Sequence, residues 1–367
     1  MKQTKKFLMT VATLGLVAPC AFAGSLNLDM RVDYLSQNYN DAAQTAAVGL
    51  NNYKFVFNTG RIDYKGKLNE DTSFRLRYRF ATKDQGAVTK RDSANATLDY
   101  AYVAHKIDMA TVTVGKWASE VGGFEGNTSS TDQYLLSEAY SGTSYLAGTT
   151  TYLTGYSTEL YVTGLKVGLK LADDHNLSLQ VANTDTAVGR APTGTGDSLT
   201  GTKFSQDNTL AGITYKGFFM DKSLGLLASY HTEQTNDDTT KVEYTSVGAQ
   251  YMMNGFTGQL DYLSNSYKAS ETQTDTLIST VATLKYDMDT LTPIVKYVSS
   301  EEKLDGTPST KNKYTSYGAA LEWKPVKDDM YRYHVAYNNR TMKPETGDDR
   351  NLTEYFVGMR INADFLK

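Results

Sequence analysis

Three arginines stand at alternate positions in the run Phe74-Arg75-Leu76-Arg77-Tyr78-Arg79-Phe80. In an extended strand successive side chains point to opposite faces, so the three guanidinium groups share one face and the apolar residues share the other. The rungs are about 6.8 Å apart, two residues of strand rise. Guanidinium stays charged at any working pH. Such a row is either a solvated strand face with little consequence or a charged wall that raises the local anion concentration. The same parity in neighbouring segments adds Arg31, Arg61, Lys166, Lys170, Lys216, Lys285, Lys296, Arg332, Arg340 and Arg360, against the acids Asp29, Asp33, Asp63, Asp99, Asp261, Glu322 and Asp364. The remaining charge of interest lies in the segment 119–155, which carries Glu120, Glu125, Asp132 and Glu138. The candidate site is therefore a basic wall of Arg61, Arg75, Arg77, Arg79, Arg332 and Arg360 facing those four carboxylates, or the same wall with an external loop that faces nothing.

Bond-making chemistry finds no support. Hydrolysis needs a nucleophile or water, a histidine and an acid held together. His105 and His175 fall near turns, His231 and His334 fall on the charged face, and no serine or acid stands at a telling spacing to any of them. Cys20 is the sole cysteine, and no Cys/His cluster, P-loop or dinucleotide fingerprint occurs. No catalytic residue, metal or cofactor is expected. A net charge of −4 gives no hint of nucleic-acid binding.

The elements that position the charges follow from the same alternation. Leu26, Leu28, Met30, Val32 and Tyr34 alternate with Asn27, Asp29, Arg31 and Asp33. Tyr331, Tyr333, Val335 and Tyr337 alternate with Arg332, His334, Ala336 and Asn338, and Tyr355, Val357, Met359, Ile361, Ala363 and Phe365 form a last apolar row. A helix does not survive this spacing, because i and i+2 point to opposite sides. The pattern predicts about sixteen strands, at 25–36, 53–67, 72–83, 95–106, 110–118, 156–170, 176–184, 206–217, 222–234, 241–253, 256–267, 274–288, 291–303, 313–327, 330–342 and 352–366. The second needs a bulge near Asn58 to Gly60, where its apolar parity changes. Short connections such as Asn254-Gly255 alternate with long ones at 37–52, 84–94, 119–155, 185–205, 304–312 and 343–351. Short turns at one end and long loops at the other form the pattern of an outer-membrane barrel. A soluble β-sandwich alternates too, but buries its apolar face against a second sheet.

The N-terminus fits export. Lys2, Lys5 and Lys6 precede a short apolar stretch from Phe7 to Val17, and Ala21-Phe22-Ala23 supplies a cleavage site. That stretch is shorter than the roughly 20 apolar residues of a spanning helix, and Pro19 before Cys20 argues against a lipoprotein. Residues 1–23 are expected to be a cleaved signal peptide and 24–367 one barrel domain. Removing three lysines leaves 34 basic against 41 acidic residues, a mature charge of −7. Mean hydropathy is −0.44, which excludes a helical membrane protein but not a barrel whose strands show lipid every second residue. The 27 tyrosines suit strands and the aromatic girdles at bilayer interfaces.

Two stretches carry a family resemblance. Arg61-Ile62-Asp63-Tyr64-Lys65-Gly66-Lys67-Leu68 resembles the second strand of Gram-negative general porins, and Ala101-Tyr102-Val103-Ala104-His105-Lys106 with Thr111-Val112-Thr113-Val114-Gly115-Lys116 resembles a later strand pair of that family. Motif resemblance covers 61–126; beyond it only the strand pattern agrees. The resemblance implies an all-β, antiparallel transmembrane barrel of sixteen strands in the outer membrane. It further implies a long third loop at 119–155 that folds inward as a constriction, and a homotrimer surrounded by lipid and lipopolysaccharide. Arg61 matches one wall arginine of the family, and Glu120 or Glu125 falls where its loop acids stand. Leu98-Asp99 stands where the family often has an arginine, and Leu366-Lys367 follows Phe365 where it usually ends on an aromatic residue. The expected function is a water-filled channel for small hydrophilic solutes and ions with a weak preference for anions. The alternatives are a phosphate-type selective channel and a closed structural or adhesion barrel. No continuous aromatic row falls on the inward face, which weakens a sugar-selective reading.

Overall fold

The computed structural model describes residues 24–40, 52–82, 97–143, 153, 155–184, 208–234, 241–268, 273–305, 309–327 and 330–366. The expected leader at 1–23 lies outside them, as do parts of the long loops, including 144–152 of the third. The strands are β1 (Ser25–Tyr39), β2 (Asn52–Lys67), β3 (Thr72–Thr82), β4 (Thr97–Ile107), β5 (Ala110–Ala118), β6 (Tyr161–Ala172), β7 (His175–Thr184) and β8 (Asn208–Phe219). They continue as β9 (Leu224–Gln234), β10 (Lys241–Met253), β11 (Phe256–Lys268), β12 (Thr274–Tyr286), β13 (Leu291–Leu304), β14 (Thr310–Trp323), β15 (Tyr331–Lys343) and β16 (Arg350–Asp364). Each pairs antiparallel with its sequence neighbours, and β1 pairs with β16, so the sheet closes into a barrel without an edge.

The alternation read from the sequence placed most strands within a few residues, and two boundaries differ for physical reasons. The fourteenth strand was expected at 313–327 but ends at Trp323, just before Pro325, which has no N–H for a ladder. The sixth was expected from 156 but starts at Tyr161. Tyr156 is instead buried, its hydroxyl donating to the Gly122 carbonyl at 3.3 Å. At the short-turn end, Asn254 and Gly255 have φ of 49° and 82°, the left-handed pair that a two-residue hairpin requires.

Three register slips sit in β2–β4. Arg31 faces Thr59 while Val32 faces Phe57, which leaves Asn58 as the bulge the sequence called for. Gly60 faces Ala81 while Arg61 faces Arg79, and the Phe80 and Phe57 rings lie over Gly60 where a Cβ would strike them. Arg77 faces Tyr100 while Tyr78 faces Leu98, so Asp99 is extra. A bulge adds one residue and re-aims the side chains after it. The strands that carry the arginine row thus have their phase adjusted three times, and a further slip lies between Lys170 and Ala172 on β6.

One face of the wall is an exposed apolar surface. Exposed tyrosine, phenylalanine or tryptophan occurs on β1–β3 and on every strand from β8 to β16, for example Tyr34, Phe55, Tyr78, Phe219, Tyr262, Tyr297 and Tyr355. The exposed large residues of β4–β7 are aliphatic only: Leu98, Val103, Ile107, Val114, Leu165, Leu171, Leu179 and Val181. The opposite face is polar over much of its area, with Asp33, Arg61, Asp63, Asp99, Lys296 and Arg360 buried. It is not polar throughout. Trp117, Val162, Leu210, Val242, Leu263, Leu277 and Val298 form the main core with Val121, Leu135, Ala139 and Tyr140 of the segment that follows β5.

Candidate functional site

The segment after β5 contains two short helical turns, α1 (Gly123–Asn127) and α2 (Glu138–Ser141). Gly122 and Gly123 have φ of 93° and 64°, and at Gly122 a Cβ would lie 2.2 Å from the Tyr156 ring. Only glycine accepts this bend without strain. The bend aims three successive backbone N–H groups at the wall. Gly123 donates to Ser246 Oγ at 3.0 Å, Phe124 to Asp261 Oδ1 at 2.9 Å and Glu125 to Asp261 Oδ2 at 3.0 Å. Further along, Ala139 N donates to Ser279 Oγ at 3.0 Å, Asn338 Nδ2 to the Tyr134 carbonyl at 2.7 Å and Arg340 Nη1 to the Leu136 carbonyl at 3.1 Å. Arg31 Nη1 donates to the carbonyls of Thr131 and Gln133 at 3.1 Å each.

Each of the four acids of this segment has a specific partner. Glu120 accepts from Lys166 Nζ at 3.0 Å. Glu125 is buried and accepts from Lys296 Nζ at 2.5 Å, from Ser137 N at 3.0 Å and from Ser137 Oγ at 2.5 Å. Asp132 accepts from Arg332 Nη2 at 2.6 Å and from Arg360 Nη1. Burial pushes the Asp132 carboxyl up, but Arg360 and Arg332 outweigh it and hold the group below its ordinary value. Glu138 is buried and accepts from Ser300 Oγ at 2.6 Å and Ser316 Oγ at 3.2 Å. Arg332 and Arg360 thus stand apart from the row on β3 and serve as partners of Asp132 and of Asp29, which takes Arg360 at 2.8 Å.

The row on β3 faces the other way round the wall. Arg75 donates to both oxygens of Asp63, from Nε at 2.9 Å and Nη2 at 2.7 Å, and Arg77 Nη2 donates to Asp63 at 2.7 Å. Arg79 donates from Nε at 3.1 Å and Nη2 at 2.9 Å to Asp99, whose carboxylate is also 3.7 Å from Arg61 Nε. Asp29, shared with Arg360, stands 3.9 Å from Arg61, so the four guanidinium groups rest on Asp63, Asp99 and part of a third carboxylate. Arg61 also reaches the segment, donating to Ser129 and Ser130 hydroxyls at 3.4 and 3.3 Å. The side chains of Arg75, Arg77 and Arg79 keep 17%, 17% and 19% of their surface exposed.

Sequence parity missed the aromatic groups of this site. Counting alternately from Asp99 puts Ala101 and Val103 on its face. The bulge at Asp99 instead brings Tyr100 and Tyr102 there. Arg75 and Arg77 lie over the Tyr100 ring with Cζ at 3.9 and 4.8 Å from its centroid, and Arg79 lies 5.4 Å from that of Tyr161. Tyr100 meets Tyr161 and Tyr102 edge-on at 5.6 and 6.1 Å. An inward aromatic cluster exists after all. The sequence carried no signal for it, since Asp99 inward and Tyr100 outward would be ordinary alternation.

Two cavities flank the segment. One of about 860 Å³ is lined by Arg61, Arg75, Arg77, Arg79, Tyr100 and Lys166, with the hydroxyls of Ser129 and Ser130. The other, about 380 Å³, is lined by Glu125, Asp132, Glu322, Lys285 and Lys296. Thr128 borders both. The first has a surplus of positive charge and N–H donors suited to oxyanions; the second mixes both signs.

Comparison with known proteins gives a family and a fold. The family model described as "Phosphate-selective porin O and P" matches residues 26–365. No curated protein matches the chain by sequence. Among solved structures, the outer-membrane channel DcaP of Acinetobacter baumannii aligns with a TM-score of 0.64 at 12% identity, over 94% of this chain and 99% of that one. OmpT of Vibrio cholerae, in a structure described as a trimer form, aligns at 0.61 and 12% identity over 94% and 100%. An anion-selective porin from Comamonas acidovorans aligns at 0.59 and 11% identity over 94% and 100%. At these identities the likeness concerns the fold.

Proposed function

The chain belongs to the phosphate-selective porin O and P family, channels of the Gram-negative outer membrane, and we propose that it conducts small hydrophilic solutes and ions through a water-filled lumen with a preference for anions. The observation that carries this reading is the shared coordination on β2–β4: Arg61, Arg75, Arg77 and Arg79 are held by Asp63 and Asp99, with only Asp29, already taken by Arg360, in further reach of Arg61 at 3.9 Å. A wall with one sign of charge and low-dielectric surroundings concentrates the opposite ion. The loop acids, each occupied by its own cation or by serine hydroxyls, offset this wall less than free carboxylates would. A channel is favoured over a closed structural barrel, since sixteen strands enclose more space than wall side chains fill.

The segment 119–155 acts in this reading as the constriction. Its support is the set of hydrogen bonds that tie 122–139 to residues from β1, β10, β11, β12 and β15 at once. A homotrimer is the assembly we favour, and its contact face is the β4–β7 sector. Aromatic rings belong where a wall meets the head-group layer, and four consecutive strands whose exposed large residues are all aliphatic suit a second barrel better. Residues 1–23 are a cleaved leader in this reading, so the mature protein begins at Gly24.

A second reading has a specific observation in its favour: a path for phosphate rather than for anions in general. The family's description points that way, and guanidinium forks with unspent N–H groups match phosphate oxygens. Bilayer recordings of the purified protein test both. A salt gradient should give a reversal potential towards anion permeation. Millimolar phosphate that blocks chloride current would favour the selective form, and block-free additive current the general form. A non-conducting protein would remove the channel reading.

A further inference from the structure

The smaller cavity, of about 380 Å³, is a recess apart from the arginine row. Its wall residues lie near the short-turn ends of their strands: Thr257 and Gln259 at the start of β11, Thr283 and Lys285 at the end of β12, Ile294 and Lys296 at the start of β13. Its roof is Gln133, Tyr134 and Leu135 of the segment after β5. Ala139, Tyr134 and Leu136 pin that roof to Ser279, Asn338 and Arg340. Below, the recess continues into a hollow of about 420 Å³ among the turns, which shares Thr257 and Lys285 with it and adds Asp221, Asn254 and Asp287. With the larger cavity it has only Thr128 in common. The recess therefore opens towards the short turns and is roofed on the side of the long loops.

Its two sides carry opposite charge. On the side of β14–β16, Arg332 Nη2 stands 2.6 Å from Asp132 Oδ1 and 3.2 Å from Glu322 Oε1, and Arg360 takes Asp132 Oδ1 together with Asp29. Two guanidinium groups thus serve three carboxylates, with Arg61 adding a contact to Asp29 at 3.9 Å. Among the described residues no hydrogen bond falls on Asp132 Oδ2 or Glu322 Oε2, and the Asp132 side chain keeps 38% of its surface exposed. Glu125 and Lys296 cancel one another at 2.5 Å. On the side of β12, Lys285 is exposed, and no carboxylate of the described residues comes within ion-pair range of it. Between the two sides Leu135, Ile294 and Ala320 supply apolar surface. Asn338, buried over Gly318 in the same lining, has an Oδ1 that accepts no hydrogen bond.

We propose that the recess binds a short zwitterionic peptide, with its ammonium group at Asp132 and Glu322, its carboxylate on Lys285, an apolar side chain against Leu135 and Ile294, and an amide N–H donating to Asn338 Oδ1. The register sets the size. Lys285 faces Ile294 and Glu322 faces Thr292, so the Cα atoms of Lys285 and Glu322 are two strands and two residues apart, about 12 Å. An extended dipeptide spans about 7 Å, and a hydrogen bond of about 2.8 Å at each end completes the reach. A single amino acid, whose two charges flank one carbon, spans less of it. The volume lies within the range of small-ligand sites. The site uses none of Arg61, Arg75, Arg77 or Arg79, so it is independent of the anion path and of the sign of selectivity.

The test is calorimetric titration of the purified protein in detergent with L-alanyl-L-leucine. Wild-type protein should bind it saturably at neutral pH. The N-acetylated dipeptide lacks the ammonium group and the dipeptide amide lacks the carboxylate. Each should bind about tenfold weaker or worse, the worth of one charge-assisted hydrogen bond. Lys285→Gln should weaken the free dipeptide by about the same factor without affecting the amide, and Lys285→Arg should restore binding. Thr283→Phe pushes a ring into the recess from β12. It should abolish binding while chloride conductance through the larger cavity persists, which shows that the barrel is folded. The triple change Arg75→Gln, Arg77→Gln, Arg79→Gln should bind the dipeptide like wild type. No saturable binding, equal binding of the capped peptides, or a Lys285→Gln protein that binds like wild type would each overturn the proposal. So would loss of binding in the triple arginine variant, which would place the peptide in the larger cavity.

Discussion

Asp99 and Tyr100 are consecutive in the chain, yet both reach the same charged cluster: Asp99 accepts from Arg79 at 2.9 Å, and Tyr100 lies beneath Arg75 at 3.9 Å. One extra residue in β4 makes this possible. The carboxylate orients one arginine and the ring supports two others, so the row is held in place with few acids. A cation over an aromatic face contributes roughly 0.5–2 kcal/mol, depending on desolvation. Replacing Tyr100 with leucine should therefore leave unitary conductance within a factor of about two but let Arg75 and Arg77 wander. Anion preference should fall in a salt-gradient recording. An unchanged reversal potential would mean that Asp63 alone positions both guanidinium groups.

The two acids at the start of the segment should respond differently to the same change. Glu120 is partly exposed and bonded to Lys166 at the edge of the basic cavity. Glu120→Gln releases that lysine, and the channel should become more anion-selective with normal conductance. Glu125 is buried and bonded to the buried Lys296. Removing one partner of a buried pair strands the other, which costs about 3–5 kcal/mol. Glu125→Gln should loosen the segment, giving larger and noisier currents and a lower melting temperature. If both variants behave alike, the segment is not anchored through Glu125.

Much of this was legible in the sequence, and what was not has physical causes. Strand number, closure and the Arg75, Arg77 and Arg79 row follow from period-two alternation, which is local. The bulge at Asn58 was visible as a change of parity within one strand. The one at Asp99 was not, because Ala101 and Val103 sit as comfortably on an outer face as on an inner one. The wall partners Lys296 of Glu125, Arg332 of Asp132 and Ser300 of Glu138 are more than 150 residues away along the chain, beyond any spacing rule. The expectation of a polar inner face failed at Trp117, Val242, Leu263 and Leu277, where the wall packs against the segment after β5. Apolar residues on both faces of a strand report a third layer, and that layer was the loop.

Acid should release the segment from β15 and β16. Arg360 and Arg332 hold the Asp132 carboxyl below its ordinary value, so the folded group binds its proton less readily than the unfolded one. Its stabilisation is fully present above the unfolded carboxylate value of about 3.9 and drains as pH falls from there through the depressed folded value. Gating noise recorded between pH 7 and 3 should stay constant down to about pH 4 and rise below it. Asp132→Asn should show the acid phenotype at neutral pH. A transition centred near pH 6 would point to a histidine instead.

The aliphatic sector of β4–β7 should be the contact between barrels. Leu165 and Leu179 are exposed on it. An arginine there meets another barrel if the sector is an interface and meets lipid if it is not. Leu165→Arg with Leu179→Arg should convert the native oligomer to monomers by native mass measurement while the monomers still conduct. The same change at Tyr297 and Tyr317, on the aromatic side, should leave the oligomer intact. Monomers from the wild-type protein would overturn the assembly itself.

The sign of selectivity depends on which charges stand closest to the narrowest water. Arg75, Arg77 and Arg79 line the larger cavity together with Arg61; Asp63 and Asp99 supply half the charge needed to neutralise the four, and Asp29, 3.9 Å from Arg61, is shared with Arg360. Against them stand the acidic loops of the mouth, including Asp348 and Asp349. Both are screened with a Debye length of about 10 Å at 0.1 M salt. A solute passing between the arginine row and Thr128, which borders the same cavity, stays within that length of the row, whereas a mouth charge acts only on approach. The row should therefore win at low salt, and its advantage should shrink as salt approaches 1 M, where the screening length falls to about 3 Å. Replacing Arg75, Arg77 and Arg79 together with glutamine leaves Asp63 and Asp99 without most of their partners. The wall then turns negative, and the reversal potential should move past zero to the cation side rather than merely towards it. Wild-type protein that is already cation-selective at 0.1 M salt would show that the mouth carboxylates govern permeation.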